Sequence, residues 1–299
     1  MQPDLVWIKE RSVSGNHQLQ DSVRGTSKKL MTNSTDAEGT ESAYITSFDS
    51  DGFSIGANNG INQSGVTNVA WCWKESATAG FDMVGYTGTG SNMTISHSLS
   101  AVPHMVIIKC RTTAATDWQV YHHKNTSAPE TDFLTLTNTN ATTDSNTRWN
   151  DTAPTSSVVS LGTSGDLNHD NTRTYIAYIF SEKQGFSKFG SYTGNGNADG
   201  TFVYTGFRPA WVMFKNASAG SSNWQIYDNK RNGYNGSNEL FRANATDVGE
   251  VVDPIDILSN GFKQYNTAAS NNVSGQTYVY MAFAEAPFVN SNGVPCNAR

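Results

Sequence analysis

Short apolar runs alternate along this chain with long stretches of Ser, Thr, Asn and Gly. The densest run is Thr174-Tyr175-Ile176-Ala177-Tyr178-Ile179-Phe180-Ser181-Glu182. It recurs as Thr67-Asn68-Val69-Ala70-Trp71-Cys72-Trp73-Lys74-Glu75 and as Thr277-Tyr278-Val279-Tyr280-Met281-Ala282-Phe283-Ala284-Glu285. At the two-residue period of a strand, Tyr175, Ala177 and Ile179 share one face and Ile176, Tyr178 and Phe180 the other. Both faces are apolar, which predicts the central strand of a packed sheet, with the closing Glu marking return to solvent.

The other runs recur in step. Pro3-Asp4-Leu5-Val6-Trp7-Ile8-Lys9 matches Pro103-His104-Met105-Val106-Ile107-Ile108-Lys109 and Pro209-Ala210-Trp211-Val212-Met213-Phe214-Lys215. A second strand is predicted at His17-Gln18-Leu19-Gln20-Asp21, Trp118-Gln119-Val120-Tyr121-His122 and Trp224-Gln225-Ile226-Tyr227-Asp228. A third falls at Lys29–Asn33, Phe133–Thr137 and Leu240–Asn244. Asp51-Gly52, Ser164-Gly165 and Asn260-Gly261 are expected to close a further hairpin, since such pairs accept the positive φ a tight turn demands. The pattern predicts an all-β chain of three tandem units, with boundaries at residues 1–78, 79–184 and 185–299.

Gly80-Phe81 leading to Tyr86-Thr87-Gly88 and Gly185-Phe186 leading to Tyr192-Thr193-Gly194 open the second and third units. The first unit has no such opening strand. Either its sheet is simply smaller, or the tail from Phe288 onward, from this chain or a neighbouring one, supplies the missing strand.

Composition narrows the function classes. Of 299 residues, 37% are hydrophobic and 15% charged, while 11% are aromatic. The aromatic share supplies enough apolar surface to argue against disorder. The net charge of −6 argues against nucleic acid and anionic lipid as partners, which want a basic face. No apolar run approaches the roughly 20 residues of a membrane span. The N-terminus shows no secretory signal, so the chain is expected to stay inside the cell, to leave by a route such as lysis, or to lack an upstream part. Cys72 and Cys110 are expected in strands as small buried hydrophobes and Cys296 near the surface. No Cys/His cluster calls for zinc.

The candidate chemistry is sparse. Phe48-Asp49-Ser50-Asp51-Gly52 resembles the opening of a calcium loop. Its counterparts place Leu258 and Gly162-Thr163 where ligands would sit, so turn formation is the reading adopted, with no metal and no cofactor. His122 and His123 are adjacent on a strand, point to opposite faces and do not share a metal. They are expected to be solvated or hydrogen-bonded. Neither Glu130/Asp132 nor Glu250/Asp253/Asp256 makes a carboxylate pair repeated between units, and no nucleophile elbow, P-loop or dinucleotide motif is present. The chain is therefore expected not to be an enzyme. Among the tryptophans, Trp7, Trp71 and Trp211 read as core. Trp118, Trp149 and Trp224 are the candidate ligand-binding residues, with Trp149, in the loop 146–151, expected to be the most exposed.

Taken together, Pro-x-(apolar run)-Lys, Trp-Gln-(Val/Ile)-Tyr, Gly-Phe-x-Tyr-Thr-Gly-x-Gly and Thr-Tyr-Val-Ala resemble repeat proteins of marine tailed bacteriophages. The stretch Phe186-Ser187-Lys188-Phe189-Gly190-Ser191-Tyr192-Thr193-Gly194 and the ending Met281-Ala282-Phe283-Ala284-Glu285-Ala286-Pro287-Phe288 are similar as well. The resemblance implies tail-fibre-like or other virion structural proteins built of concanavalin A-like (laminin-G-like) β-sandwiches, here three tandem concanavalin-like, jelly-roll units. It also implies a lectin-like virion surface protein, extracellular after lysis. The leading expectation is a non-enzymatic adhesin recognising a host surface glycan or protein. A purely structural subunit (decoration, sheath or self-assembling filament) and a polysaccharide depolymerase are the alternatives. Expected partners are copies of itself in a homo-oligomer, other virion proteins and a host cell-surface glycan, with no nucleic acid and no membrane insertion.

Overall fold

Each apolar run forms a strand, and the strands assemble into three large antiparallel sheets. The structure, a computed structural model, describes residues 1–231, 235–236, 238–252 and 254–287. The tail from Phe288 onward, Cys296 and Asp253 lie outside the described residues.

The first large sheet uses β1 (Leu5–Glu10), β2 (Gln18–Asp21), β3 (Lys28–Met31), β4 (Gly39–Thr40) and β7 (Asn68–Trp73) in the order β4-β3-β2-β1-β7. A hairpin of β5 (Ile45–Asp49) and β6 (Gly52–Ile55), followed by the single turn α1 (Asn59–Asn62), covers one face. In the second sheet, β8 (Phe81–Thr87), β10 (Met105–Cys110), β11 (Gln119–His122), β12 (Asp132–Thr135), β13 (Thr143–Asp144) and β15 (Thr174–Phe180) run β13-β12-β11-β10-β15-β8. Its cover is the pair β9 (Met93–Ser96) and β14 (Val158–Leu161), with the turn α2 (Asn146–Trp149). The third sheet orders β16 (Ser187–Thr193), β18 (Pro209–Asn216), β19 (Gln225–Asp228), β20 (Asn238–Arg242), β21 (Glu250–Val252) and β24 (Thr277–Ala284) as β16-β24-β18-β19-β20-β21. Over it lies the small sheet β17 (Phe202–Tyr204), β23 (Gly261–Gln264) and β22 (Ile255–Leu258). The described chain is all-β, with sheets stacked face to face as in a β-sandwich.

Two of the three expected hairpin turns form. Asp49 pairs with Gly52 and Leu258 with Gly261, each across two turn residues. Ser164-Gly165 does not close a hairpin. β14 pairs instead with the distant β9, and the Ser164 carbonyl accepts from Leu167 N and Asn168 N in a loop.

Each large sheet buries one face against its own cover and the other in a core common to all three. That core holds Trp7 and Trp71 from the first sheet, Trp118 and Tyr178 from the second, and Trp211 and Met281 from the third. Trp7 lies 5.7 Å from Trp71 and 6.4 Å from Trp211, centroid to centroid. Alternating apolar residues on the inner strands make this possible, because both faces of each strand find a partner.

The three matched final strands differ at their edges. β15 pairs with β10 and β8, and β24 with β18 and β16. Among the described residues β7 pairs only with β1. The difference shows in burial: every residue of β15 from Tyr175 to Phe180 is buried, whereas in β7 only Trp71 is, and Ala70 is exposed.

Candidate functional site

The three tryptophans expected at a ligand surface are interior. Trp118, Trp149 and Trp224 are 0%, 1% and 1% exposed. Trp118 Nε1 donates to the Met31 carbonyl at 3.0 Å, and Trp224 Nε1 donates to the Thr135 carbonyl at 2.9 Å. Each indole thus reaches from its own second strand to the third strand of the preceding sheet. Trp149 closes α2, donates to the Asp132 carbonyl at 3.0 Å and packs edge-on to Tyr121 at 5.8 Å. The expected exposure of Trp149 is corrected: a one-turn helix folds the loop inward and the buried N–H finds a carbonyl.

Two networks tie the sheets together. Asp21 accepts from Arg24 Nε at 2.5 Å, Arg24 N at 2.8 Å and the Tyr178 hydroxyl of the second sheet at 2.7 Å. Arg24 also meets Glu38, which is clamped by Arg111 of the second sheet at 2.8 and 3.0 Å. The third sheet repeats this with Asp228, Arg231, Glu239 and Arg11 of the first, and Trp71 Nε1 donates to Asp228 at 3.0 Å. In the second sheet His122 stands in the position of the aspartates, its Nε2 3.1 Å from the Tyr280 carbonyl. The spacing Asp-x-x-Arg in Asp21-Ser22-Val23-Arg24 and Asp228-Asn229-Lys230-Arg231 was the available sequence signal for these ion pairs.

The titratable groups are mostly structural. His122 and His123 are held neutral by burial, at about 3 and 4, and His123 Nε2 lies 2.9 Å from the Phe189 carbonyl. Burial also lowers Lys9, Lys109 and Lys215 to about 8. Lys109 donates to the Thr35 carbonyl of the first sheet at 3.1 Å, and Lys215 to Thr139 of the second at 3.4 Å. Burial and a hydrogen bond to Asp82 raise Glu75 to about 7, while backbone amides of Ser98 and Met83 help hold Asp82 low. A carboxyl beside a carboxylate is the kind of pair an acid–base mechanism uses. Here both carboxyls are spent on backbone amides, Glu75 accepting from Met83 N at 3.1 Å. The matching Glu182 does the same for Phe189 N at 3.2 Å and pairs with Lys188 where Asp82 stands. The pair belongs to the strand junction. Among the described residues no three His, Cys, Asp or Glu side chains gather as a metal set.

Two surfaces remain. The first is the outer face of the β17-β23-β22 sheet. Val203, Phe262, Ile255 and Ile257 point inward to the core, so the alternate residues face out. Across the strands, Phe202 opposes Lys263, which opposes Asp256; Tyr204 opposes Gly261. Phe202, Tyr204 and Tyr265 are 43%, 63% and 39% exposed. A Cβ on Gly261 would meet the Val203 carbonyl at 2.0 Å and the Phe202 ring at 3.1 Å, so glycine is what lets β17 and that ring approach β23 this closely. Lys263 pairs with Asp199 and sits 5.5 Å over the Tyr265 ring. The hydrogen bond to Asp256 raises the Tyr265 hydroxyl above its ordinary pKa, and the one to Asp199 raises Lys263. The neighbouring loop is fixed by Asn272, fully buried, whose side chain bonds Asn195 at 2.7 and 2.9 Å and the Asn197 carbonyl at 2.8 Å. The result is three rings beside two carboxylates and an ammonium on a rigid support.

The second surface is an apolar groove of about 720 Å³ along the open edge of β7. Trp71, Cys72 and Trp73 form one wall, Phe186, Trp211 and Phe283 the other, and Pro287 lies at its margin.

The chain matches, over residues 1–287, the model of a domain family of unknown function, DUF7483. The chain belongs to this family. No curated protein and no solved structure matches it. Membership carries no ligand or reaction to this family member, so its two surfaces stand on their own geometry. Sequence reasoning missed both. Phe202-Val203-Tyr204 has the alternation of a half-buried strand, but it is short and has aromatic residues on its outer face, where polar ones are the usual signal. The groove is missing from any single run, because its lining comes from all three sheets, Phe81 of the second included.

Proposed function

We propose that this chain is a non-catalytic recognition protein, an adhesin, that binds a host surface glycan on the outer face of β17, β23 and β22. The observation that carries the reading is the set Phe202, Tyr204 and Tyr265 held open to solvent beside Asp199, Asp256 and Lys263. Sugar rings present apolar faces that stack on aromatics, and hydroxyls that seek carboxylates and ammonium groups. In this reading the architecture is three tandem concanavalin-like β-sandwich units, each a large sheet with its cover, as the matching strand orders support. The setting is the surface of a tailed-phage particle, the tail-fibre-like role implied by the sequence motifs.

The test is a glycan array followed by titration of any hit. Tyr204→Ala should weaken binding about tenfold or more, a loss of about 1.4 kcal/mol. If no glycan binds, or if Tyr204→Ala and Phe202→Ala bind as the natural protein does, the site assignment fails. Light scattering that then shows open-ended assembly would favour the structural subunit, and reducing-sugar release the depolymerase.

A further inference from the structure

We infer that the groove along β7 is the seat of this chain's own C-terminal segment, which pairs with β7 from Phe288 as the sixth strand of the first sheet. The inference is independent of the glycan reading and concerns a different face.

The path of the chain points there. After β7 it leaves the first sheet and becomes β8, the edge partner of β15 in the second. After β15 it leaves the second sheet and becomes β16, the edge partner of β24 in the third. After β24 it leaves the third sheet, and Pro287, the last residue described, lines the groove beside β7. The third sheet thus delivers its outgoing chain to the edge of the first, as the first delivers to the second and the second to the third. Twelve residues, 288–299, follow. β8 and β16 use seven each, so the length suffices.

The groove has what a strand needs. One wall is a strand edge with no partner among the described residues, which exposes a row of backbone donors and acceptors. The other is aromatic. In the two completed sheets an aromatic residue at or just before the start of the edge strand packs on a Phe at the end of its neighbour, Phe81 directly opposite Phe180 and Phe186 one place before the residue opposite Phe283. Phe81 stacks on Phe180 at 4.6 Å, and Phe186 meets Phe283 edge-on at 5.9 Å. The corresponding last residue of β7 is Trp73, half-buried on the groove, and the first aromatic after β24 is Phe288. In the register of the second sheet, where Phe81 is opposite Phe180, Phe288 stands opposite Trp73 and Val289 opposite Cys72. A neighbouring copy could offer the same segment, but a segment tethered at the groove margin has an effective concentration of order millimolar.

The test is the full-length Val289→Cys/Cys296→Ser variant, oxidised at low protein concentration and mapped by mass spectrometry. Cys110, fully buried, stays out of the reaction. Directly opposed residues of antiparallel strands have Cα atoms about 4.5–5.5 Å apart, within the range a disulfide spans. The expected result is a disulfide from Cys72 to the thiol at position 289 within one monomer. A disulfide that links two copies, or none, overturns the inference. A second measurement needs no new cysteine: the chain ended after Pro287 should alkylate at Cys72 at least tenfold faster than the full-length protein and melt lower. Equal alkylation rates and equal melting would also overturn it.

Discussion

Asp21 offers the sharpest test of how the sheets are held together. Its side chain and that of Arg24 are both 0% exposed, and the carboxylate accepts from Arg24 and from Tyr178 of the neighbouring sheet. Asp21→Ala strands the buried Tyr178 hydroxyl and leaves the buried Arg24 guanidinium with Glu38, at 3.3 Å, as its remaining carboxylate. Breaking one partner of a buried, hydrogen-bonded ion pair costs about 3–5 kcal/mol. For a chain of 299 residues unfolding as one unit each kcal/mol moves the melting temperature by about 1.5–2 °C, so a drop of roughly 5–10 °C is expected. The assay is calorimetric melting at pH 7, with Asp21→Ala/Arg24→Met as companion. Removing the under-compensated charge should recover part of the loss, because without Asp21 the buried guanidinium keeps only the longer contact to Glu38. A drop of less than 2 °C in the single variant, or a double variant no better than the single, would refute the reasoning.

Three further outcomes are expected. His122 and His123 have native pKa values of about 3 and 4, below the unfolded value, so the unfolded chain binds more protons between there and about 6.5. Stability should therefore fall as pH drops through that window, read as the urea midpoint at pH 7 against pH 4, and His122→Phe should flatten the slope. Glu75 is shifted the other way, to about 7, so its contribution is full below about 4.5 and is lost as pH rises through 7. Carboxyl carbon NMR should find this titration near 7, and Glu75→Gln should remove the corresponding loss of stability between pH 5 and 8. Trp149→Ala should cost about 3–5 kcal/mol in denaturant unfolding, as large-to-small changes in cores do. It should leave glycan affinity of the folded protein unchanged, the reverse of Tyr204→Ala.

The strands were legible because an apolar run of six or seven residues closed by Lys or Glu admits few other readings, and the runs at 5–10, 105–110 and 209–216 all became inner strands. The opening strands of the second and third sheets were legible too, as β8 and β16. Side-chain exposure in the polar loops was not. Trp149 is surrounded in sequence by Asn, Thr, Arg and Asp, yet one helical turn is enough to bury it against Tyr121. Nor could the period of a strand tell which sheet its faces would meet. Trp118 and Trp224 read as candidate ligand-binding residues because their bonding partners, Met31 and Thr135, are roughly ninety residues away. The aromatic face was hidden because three scattered aromatic residues, Phe202, Tyr204 and Tyr265, give no sign in sequence of whether their rings face the core or solvent.

The common core has a consequence for dissecting the molecule. Cut at residues 78 or 184, the chain would release a piece that carries half an interior: Trp7 and Trp71 on one side of the cut, Trp211 and Trp224 on the other, all suddenly wet. Such pieces are expected to associate through these bared faces when made separately, because each lacks the partners that cover them. Three sheets that share one interior are expected to melt together.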